Sequence, residues 1–233
     1  RNAPLPGDDE RQFSWNEAYH IVLDAFAGFD PKMAEIAKPF FSNNWIDAAP
    51  RAGKSSGAFS HPVVPSAHPY ILMNFAGKSR DVMTLAHEMG HGIHQSFASG
   101  QGYLMSDTPL TLAETASVFA EMLTFRHLLD SQDDSKARLY LLAGKVEDML
   151  NTVVRQVAFH NFETEFHDRR RVGELTADEI SDIWMETQSA ALGPAIKIGD
   201  DYRPIWSYVP HFVHTPFYVC LLYTSPSPRD LMR

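Results

Sequence analysis

Two histidines four residues apart, His87 and His91, enclose a glutamate in the run Thr84-Leu-Ala-His87-Glu88-Met-Gly-His91-Gly-Ile-His94. On an α-helix, residues four apart share a face. Both imidazoles can therefore be offered to one cation, while Glu88 projects beside them toward a water that the cation activates. Two ligands and a general base are then fixed by one rigid element, which is the physical content of the H-E-x-x-H motif. The competing reading of so short a pattern is a histidine pair that merely decorates a helix. Gly90 and Gly92 favour the metal. Each costs about 1 kcal/mol against Ala inside a helix, and a neighbouring backbone or a substrate that must approach closely accounts for both.

A catalytic zinc keeps three protein ligands and one open position. The metzincin pattern requires Gly at position 94 and His at position 97, where this chain has His94 and Phe97. The single cysteine, Cys220, excludes an internal disulfide and any cysteine-based zinc site. Carboxylates remain, and Leu112-Ala-Glu114-Thr-Ala-Ser-Val-Phe-Ala-Glu121 supplies two of them, seven residues apart on one helix face. One can ligate the metal while the other orients a ligand from behind. Thr111-x-x-Glu114 also reads as a capping box that needs no metal, and Glu121 alone as a solvated carboxylate. But Ala113, Ala116, Phe119, Ala120 and Leu123 make this helix largely apolar, and a carboxylate in such company requires a partner. Glu114 is thus the expected third ligand and Glu121 the expected orienting group.

The elements that must carry these residues are legible from caps and breakers. Ser14-Trp-Asn-Glu17 is a capping box opening a helix to about Phe29, and Asp30-Pro31 opens a second that should bend or end before Pro39. Between Trp45 and Phe75, glycines and prolines punctuate short strand-like runs at Gly57–Ser60 and Tyr70–Phe75. Asp81 caps a helix over about Val82–Ala98; further helices are expected over Leu112–Asp130, Ser135–Arg171 and, after the capping box Thr176-Ala-Asp-Glu179, to Leu192. Gly193–Thr215 reads as Pro- and aromatic-rich loop, and Pro216-Phe-Tyr-Val as the start of a last helix. The fold class is mainly α, with a small sheet ahead of the H-E-x-x-H helix.

The 233 residues are 44% hydrophobic and 21% charged, ordinary for a globular protein with a packed core, so composition argues against disorder for the chain as a whole. A net charge of -9 argues against a nucleic-acid partner. Arg169, Arg170 and Arg171 are the solvated end of a helix, where cations suit the dipole. No apolar run is long enough to cross a bilayer. The opening on Arg1 with a loop-like RNAPLPG suggests a chain cut from something longer, so a leader could be hidden.

Thr84–Gln95, Pro109–Leu123 and Ile205–Val219, together with Arg51-Ala-Gly-Lys-Ser-Ser-Gly-Ala-Phe and His68-Pro-Tyr-Ile-Leu-Met-Asn-Phe, resemble the oligoendopeptidase F branch of the thimet oligopeptidase family of zinc peptidases. The resemblance covers nearly all of Arg1–Val219. It implies a helical gluzincin-type catalytic core beside a deep channel for short peptides, one zinc per chain and a cytoplasmic setting. It matches the family's zinc ligands to His87, His91 and Glu114 and its catalytic carboxylate to Glu88. It makes the strand at Tyr70–Phe75 the edge strand that pairs with substrate backbone. It also assigns His211 and Tyr218, and less directly His214, to the loop that reaches the reacting carbonyl. Family members are much longer. After Val219 the match stops, and residues 220–233 read as a non-native tail resembling translated sequencing adapter, leaving 1–219 as the catalytic core. Other gluzincin peptidases of carboxypeptidase type, an inert zinc-binding fragment and a metal-free helical module are the alternatives. Oligomeric state is not specified by the sequence.

Overall fold

Ser14 begins the first helix as its spacing predicts: its hydroxyl accepts from the Glu17 amide at 3.2 Å, and its own amide donates to the Glu17 carboxylate at 2.7 Å. Helix α1 (Trp15–Phe29) follows, then α2 (Pro31–Ser42), whose N-cap Asp30 accepts from the Lys32 amide at 2.9 Å. The expected stop before Pro39 is corrected, because α2 runs on through it to Ser42. The bond that Pro39 cannot donate would end on the Glu35 carbonyl, at an exposed residue where water substitutes. The next residue, Phe40, is buried and holds the last turn to the core. The computed structural model describes residues 11–209 and 211–214. The chain forms two compact units, Arg1–Ala143 and Gly144–Arg233.

In the first unit, β1 (Ile46–Asp47), β2 (Phe59–His61) and β3 (Tyr70–Leu72) form a sheet in the order β1-β3-β2, with β1 parallel and β2 antiparallel to β3. Strand β3 is therefore central, which corrects its assignment as an edge strand. The Ile71 and Met73 amides donate toward β1, to the Trp45 and Asp47 carbonyls, while Tyr70 and Leu72 pair with His61 and Phe59. Alternation along the ladder turns Ser60, opposite Ile71, outward from β3. Its carbonyl accepts instead from Gln95 Nε2 of the following helix at 3.3 Å. The outer edge of β2 thus lies against the helix bearing the H-E-x-x-H motif.

Lys54 ties this layer together. Its side chain is only 2% exposed, and its ammonium donates to the Asp47 carbonyl, the Asp47 carboxylate, the Ala49 carbonyl and the Met73 carbonyl, at 2.6–3.1 Å. A buried ammonium is tolerated only when so satisfied.

Helix α3 (Ser79–Ala98) starts earlier than expected. Asp81 sits inside its first turn, and its carboxylate accepts from the Ala76 and Lys78 amides. Val82, Leu85, Ala86 and Met89 of α3 are buried with Val22 and Phe26 of α1, Phe40 of α2, Ile71 and Met73. Each of these side chains larger than Ala contributes about 1.5–3 kcal/mol on burial. Helix α4 (Leu110–Asp130) packs along α3 and adds Ala120 and Leu128 to the same core.

Helix α5 (Ser135–Val172) continues into the second unit, where Phe159 and Phe162 pack with Ile183 and Trp184 of α6 (Ala177–Leu192) and with Val209. Thr176 caps α6 reciprocally with Glu179. The expected loop Gly193–Thr215 is more ordered than its composition suggests: a 3-10 helix occupies Asp200–Tyr208 and a short α7 occupies His211–His214. Two indole donors secure it. Trp184 Nε1 donates to the Tyr202 carbonyl and Trp206 Nε1 to the Ser181 hydroxyl, each at 3.1 Å. The last helix expected from Pro216 lies outside the described residues, as does the boundary at 219.

The architecture is mainly helical with a small sheet before α3, as expected. No described helix is long and apolar enough to cross a membrane.

Candidate metal centre

Helices α3 and α4 approach closely because Gly90 has no side chain. A Cβ built there would fall 2.6 Å from the Ala116 carbonyl oxygen, 2.7 Å from Ser117 Cα and 2.8 Å from Ala120 Cβ. Gly92 faces the Phe40 ring in the same way, at 2.8–2.9 Å. The neighbouring-backbone account of the two glycines therefore applies literally to Gly90, whereas Gly92 accommodates an aromatic ring.

At this distance Glu114 of α4 meets both histidines of α3. Its Oε2 lies 3.2 Å from His87 Nε2 and 3.6 Å from His91 Nε2. One nitrogen or oxygen from each of the three residues falls within 4.8 Å of the others, the only group among the described residues disposed to hold a metal ion. Glu121, two turns along α4, accepts from His87 Nδ1 at 3.2 Å. An ionised carboxylate can only accept, so this bond places the proton on Nδ1 and turns Nε2 toward Glu114. The capping-box reading of Thr111 does not apply, since α4 begins at Leu110 and Thr111 lies within it.

Sequence reasoning missed Ser117. It is fully buried, and its hydroxyl donates to Glu114 Oε2 at 2.8 Å. Its spacing, one turn beyond a carboxylate, does not by itself distinguish a buried hydroxyl from a solvated one.

The charges of the group are mutually dependent. Burial alone would lower the His87 pKa, but hydrogen bonds to Glu114 and Glu121 raise it to about 10. Burial pushes Glu114 up, and its bonds to His87, His91 and Ser117 more than reverse this, holding it well below the usual carboxylate range. Glu88 is raised, chiefly by burial and against the pull of both histidines. Only 6% exposed, it leaves Oε2 with no hydrogen-bond partner among the described residues. A buried carboxylate oxygen without a partner is costly. Its place beside two imidazole nitrogens and a second carboxylate, Glu114, fits a metal ion with an activated water: two nitrogens and one oxygen are a donor set that suits zinc.

His211 and His214 open and close the short helix α7 in the second unit, both exposed, and what desolvation His211 meets lowers its pKa. Tyr218 and the tail from 220 lie outside the described residues.

A family model described as Peptidase family M3 matches residues 10–224. Among similar proteins, Oligopeptidase PepF of Bacillus subtilis (strain 168) is 32% identical over 218 residues, which make up 93% of this chain and 32% of that protein. The chromosomal Oligoendopeptidase F of Lactococcus lactis subsp. cremoris is 33% identical over 218 residues, covering 93% of this chain and 36% of that one. A solved structure of PZ peptidase A with an inhibitor superposes with a TM-score of 0.77, covering 91% of this chain and 38% of that chain, and at 20% identity it supports the fold alone. The chain spans about a third of the length of these relatives.

Proposed function

The chain belongs to peptidase family M3, and from that premise we propose that it is the zinc-binding catalytic core of a metalloendopeptidase acting on short peptides. The observation that carries this reading is the convergence of His87, His91 and Glu114 beside the unpartnered buried oxygen of Glu88. His87 Nε2, His91 and Glu114 would hold the ion, with Glu121 fixing the His87 ring and Ser117 fixing the Glu114 carboxylate. When bound, zinc supplies Lewis acidity that lowers the pKa of a water toward neutrality.

Glu88 would accept the proton that a water gives up on attacking the scissile carbonyl and would pass it to the leaving amine. Burial suits Glu88 to both tasks, because a raised pKa brings a carboxylate nearer the working pH. His211 and Tyr218 are assigned to the reacting carbonyl on the family resemblance, and a cytoplasmic setting goes with the same resemblance.

The test is zinc content together with cleavage of an internally quenched peptide blocked at both ends, with and without chelator. One zinc per chain and chelator-sensitive cleavage are expected, and Glu88→Gln should abolish turnover with zinc retained. Retained activity in Glu88→Gln, or loss of its metal, overturns the assignment of Glu88. Zinc without cleavage would make this polypeptide an inert metal-binding piece.

A further inference from the structure

The face of α3 that carries His87 and His91 continues one turn further to His94, seven residues beyond His87. There the end of α3, the connecting residues 99–109 and the start of α4 enclose an open cavity of about 320 Å³. Phe97, Met105 and Leu112 give it apolar walls, while Gln101, Ser106 and Asp107 give it a polar rim. Asp107 is the one residue of fixed charge in the lining. Next to it, Tyr103, Leu104 and Met105 are 73–88% exposed, three successive apolar side chains that would gain burial from a bound chain.

His94 stands about 4.5 Å along the helix axis from His91, and Leu112 comes two residues before Glu114. The cavity therefore borders both helices that bear the candidate ligands. An extended peptide advances roughly 3.3 Å per residue, so a side chain roughly one to three residues from the scissile bond reaches it.

We propose that this cavity is a specificity subsite for a long basic side chain, Arg or Lys, of the substrate peptide. The apolar stem would lie against Phe97, Met105 and Leu112, and the cationic head would pair with Asp107 at the rim. The inference rests on the peptidase reading above and names the substrate chemistry of that site. Lys32 Nζ lies 5.3 Å from the Phe97 centroid, which makes a purely apolar side chain the competing occupant.

The experiment measures binding separately from cleavage. Blocked fluorescent peptides carrying Arg, norleucine or Glu at one position, moved stepwise along the chain, are titrated by anisotropy into the zinc-supplied Glu88→Gln protein. At one position Arg should bind about tenfold more tightly than norleucine, and Glu most weakly. Asp107→Asn should erase the Arg advantage and leave norleucine unchanged, and Met105→Ala should weaken Arg and norleucine alike. Equal affinity for the three peptides at every position, absence of binding, or an Arg preference that survives Asp107→Asn overturns the subsite. Cleavage by the wild-type chain is read in parallel. Arg-selective binding without cleavage upholds the subsite and removes the peptidase assignment of this polypeptide, whereas cleavage blind to the varied residue removes the subsite alone.

Discussion

Glu121 holds the His87 ring at the candidate metal centre by accepting from Nδ1 at 3.2 Å. Without it the imidazole is free to rotate or to change tautomer, so Glu121→Ala should weaken zinc binding by about tenfold or more. Competition against a chromophoric chelator measures this, and an unchanged affinity would show that the ring is held by packing alone. The three converging residues and Glu121 were readable from the sequence because helical periodicity converts spacing into a shared face: 87 with 91, and 114 with 121. Ser117 was not, since nothing in a hydroxyl's position along the chain says whether it will be buried against a carboxylate or solvated. The unpartnered oxygen of Glu88 is likewise a fact of three-dimensional packing; the motif names the residue, and only the fold reveals its isolation.

At the scale of the elements, the separation of α3 and α4 is set by a contact between backbones at Gly90. Gly90→Ala would force a methyl group against the Ala116 carbonyl and should cost about 1–3 kcal/mol, with a loss of metal affinity as Glu114 is pushed away. Gly144→Ala is the control. It also lies within a helix but has nothing within 4 Å, so it should gain about 0.5–1 kcal/mol from helix propensity. Urea unfolding of both variants decides the matter, and a shift of the same sign in both would refute the contact argument. In the sheet, the Arg51 guanidinium and then the Lys54 ammonium hold the Asp47 carboxyl down at about 2. A lowered carboxylate contributes stability that is present above its unfolded value, about 4, and lost as pH falls through the folded one. The stability gap between wild type and Asp47→Asn should therefore narrow from about pH 4 to about pH 2. A constant gap across that window would mean that the pair adds nothing. The helices were legible because their caps are local: Ser14, Asp30 and Thr176 act on amides two or three residues away. The sheet was not. A two-residue strand such as β1 has no periodicity to read, and which strand lies centrally depends on pairings between distant segments. The 3-10 turn at 200–208 was hidden for a related reason, as its anchors are indole bonds to and from residues about twenty positions away.

For the molecule as a whole, every candidate ligand belongs to the first unit, Arg1–Ala143. Metal that binds only the folded form stabilises it by mass action, by about 2.7 kcal/mol at a hundredfold excess over the dissociation constant. The melting midpoint should rise with the logarithm of zinc concentration, and Glu114→Ala should flatten that dependence. A midpoint indifferent to zinc in the wild-type chain would show that the converged donors do not grip the ion. The site sits in an assembly of short strands and helices that is itself closed by one buried cation. Because the Lys54 amine is shut away behind four acceptors, an acylating reagent meets no free lone pair there while the sheet stays closed. A label on that nitrogen would be a permanent record that the particular molecule had once opened, so that one lysine keeps a history where the other amines report only the reagent.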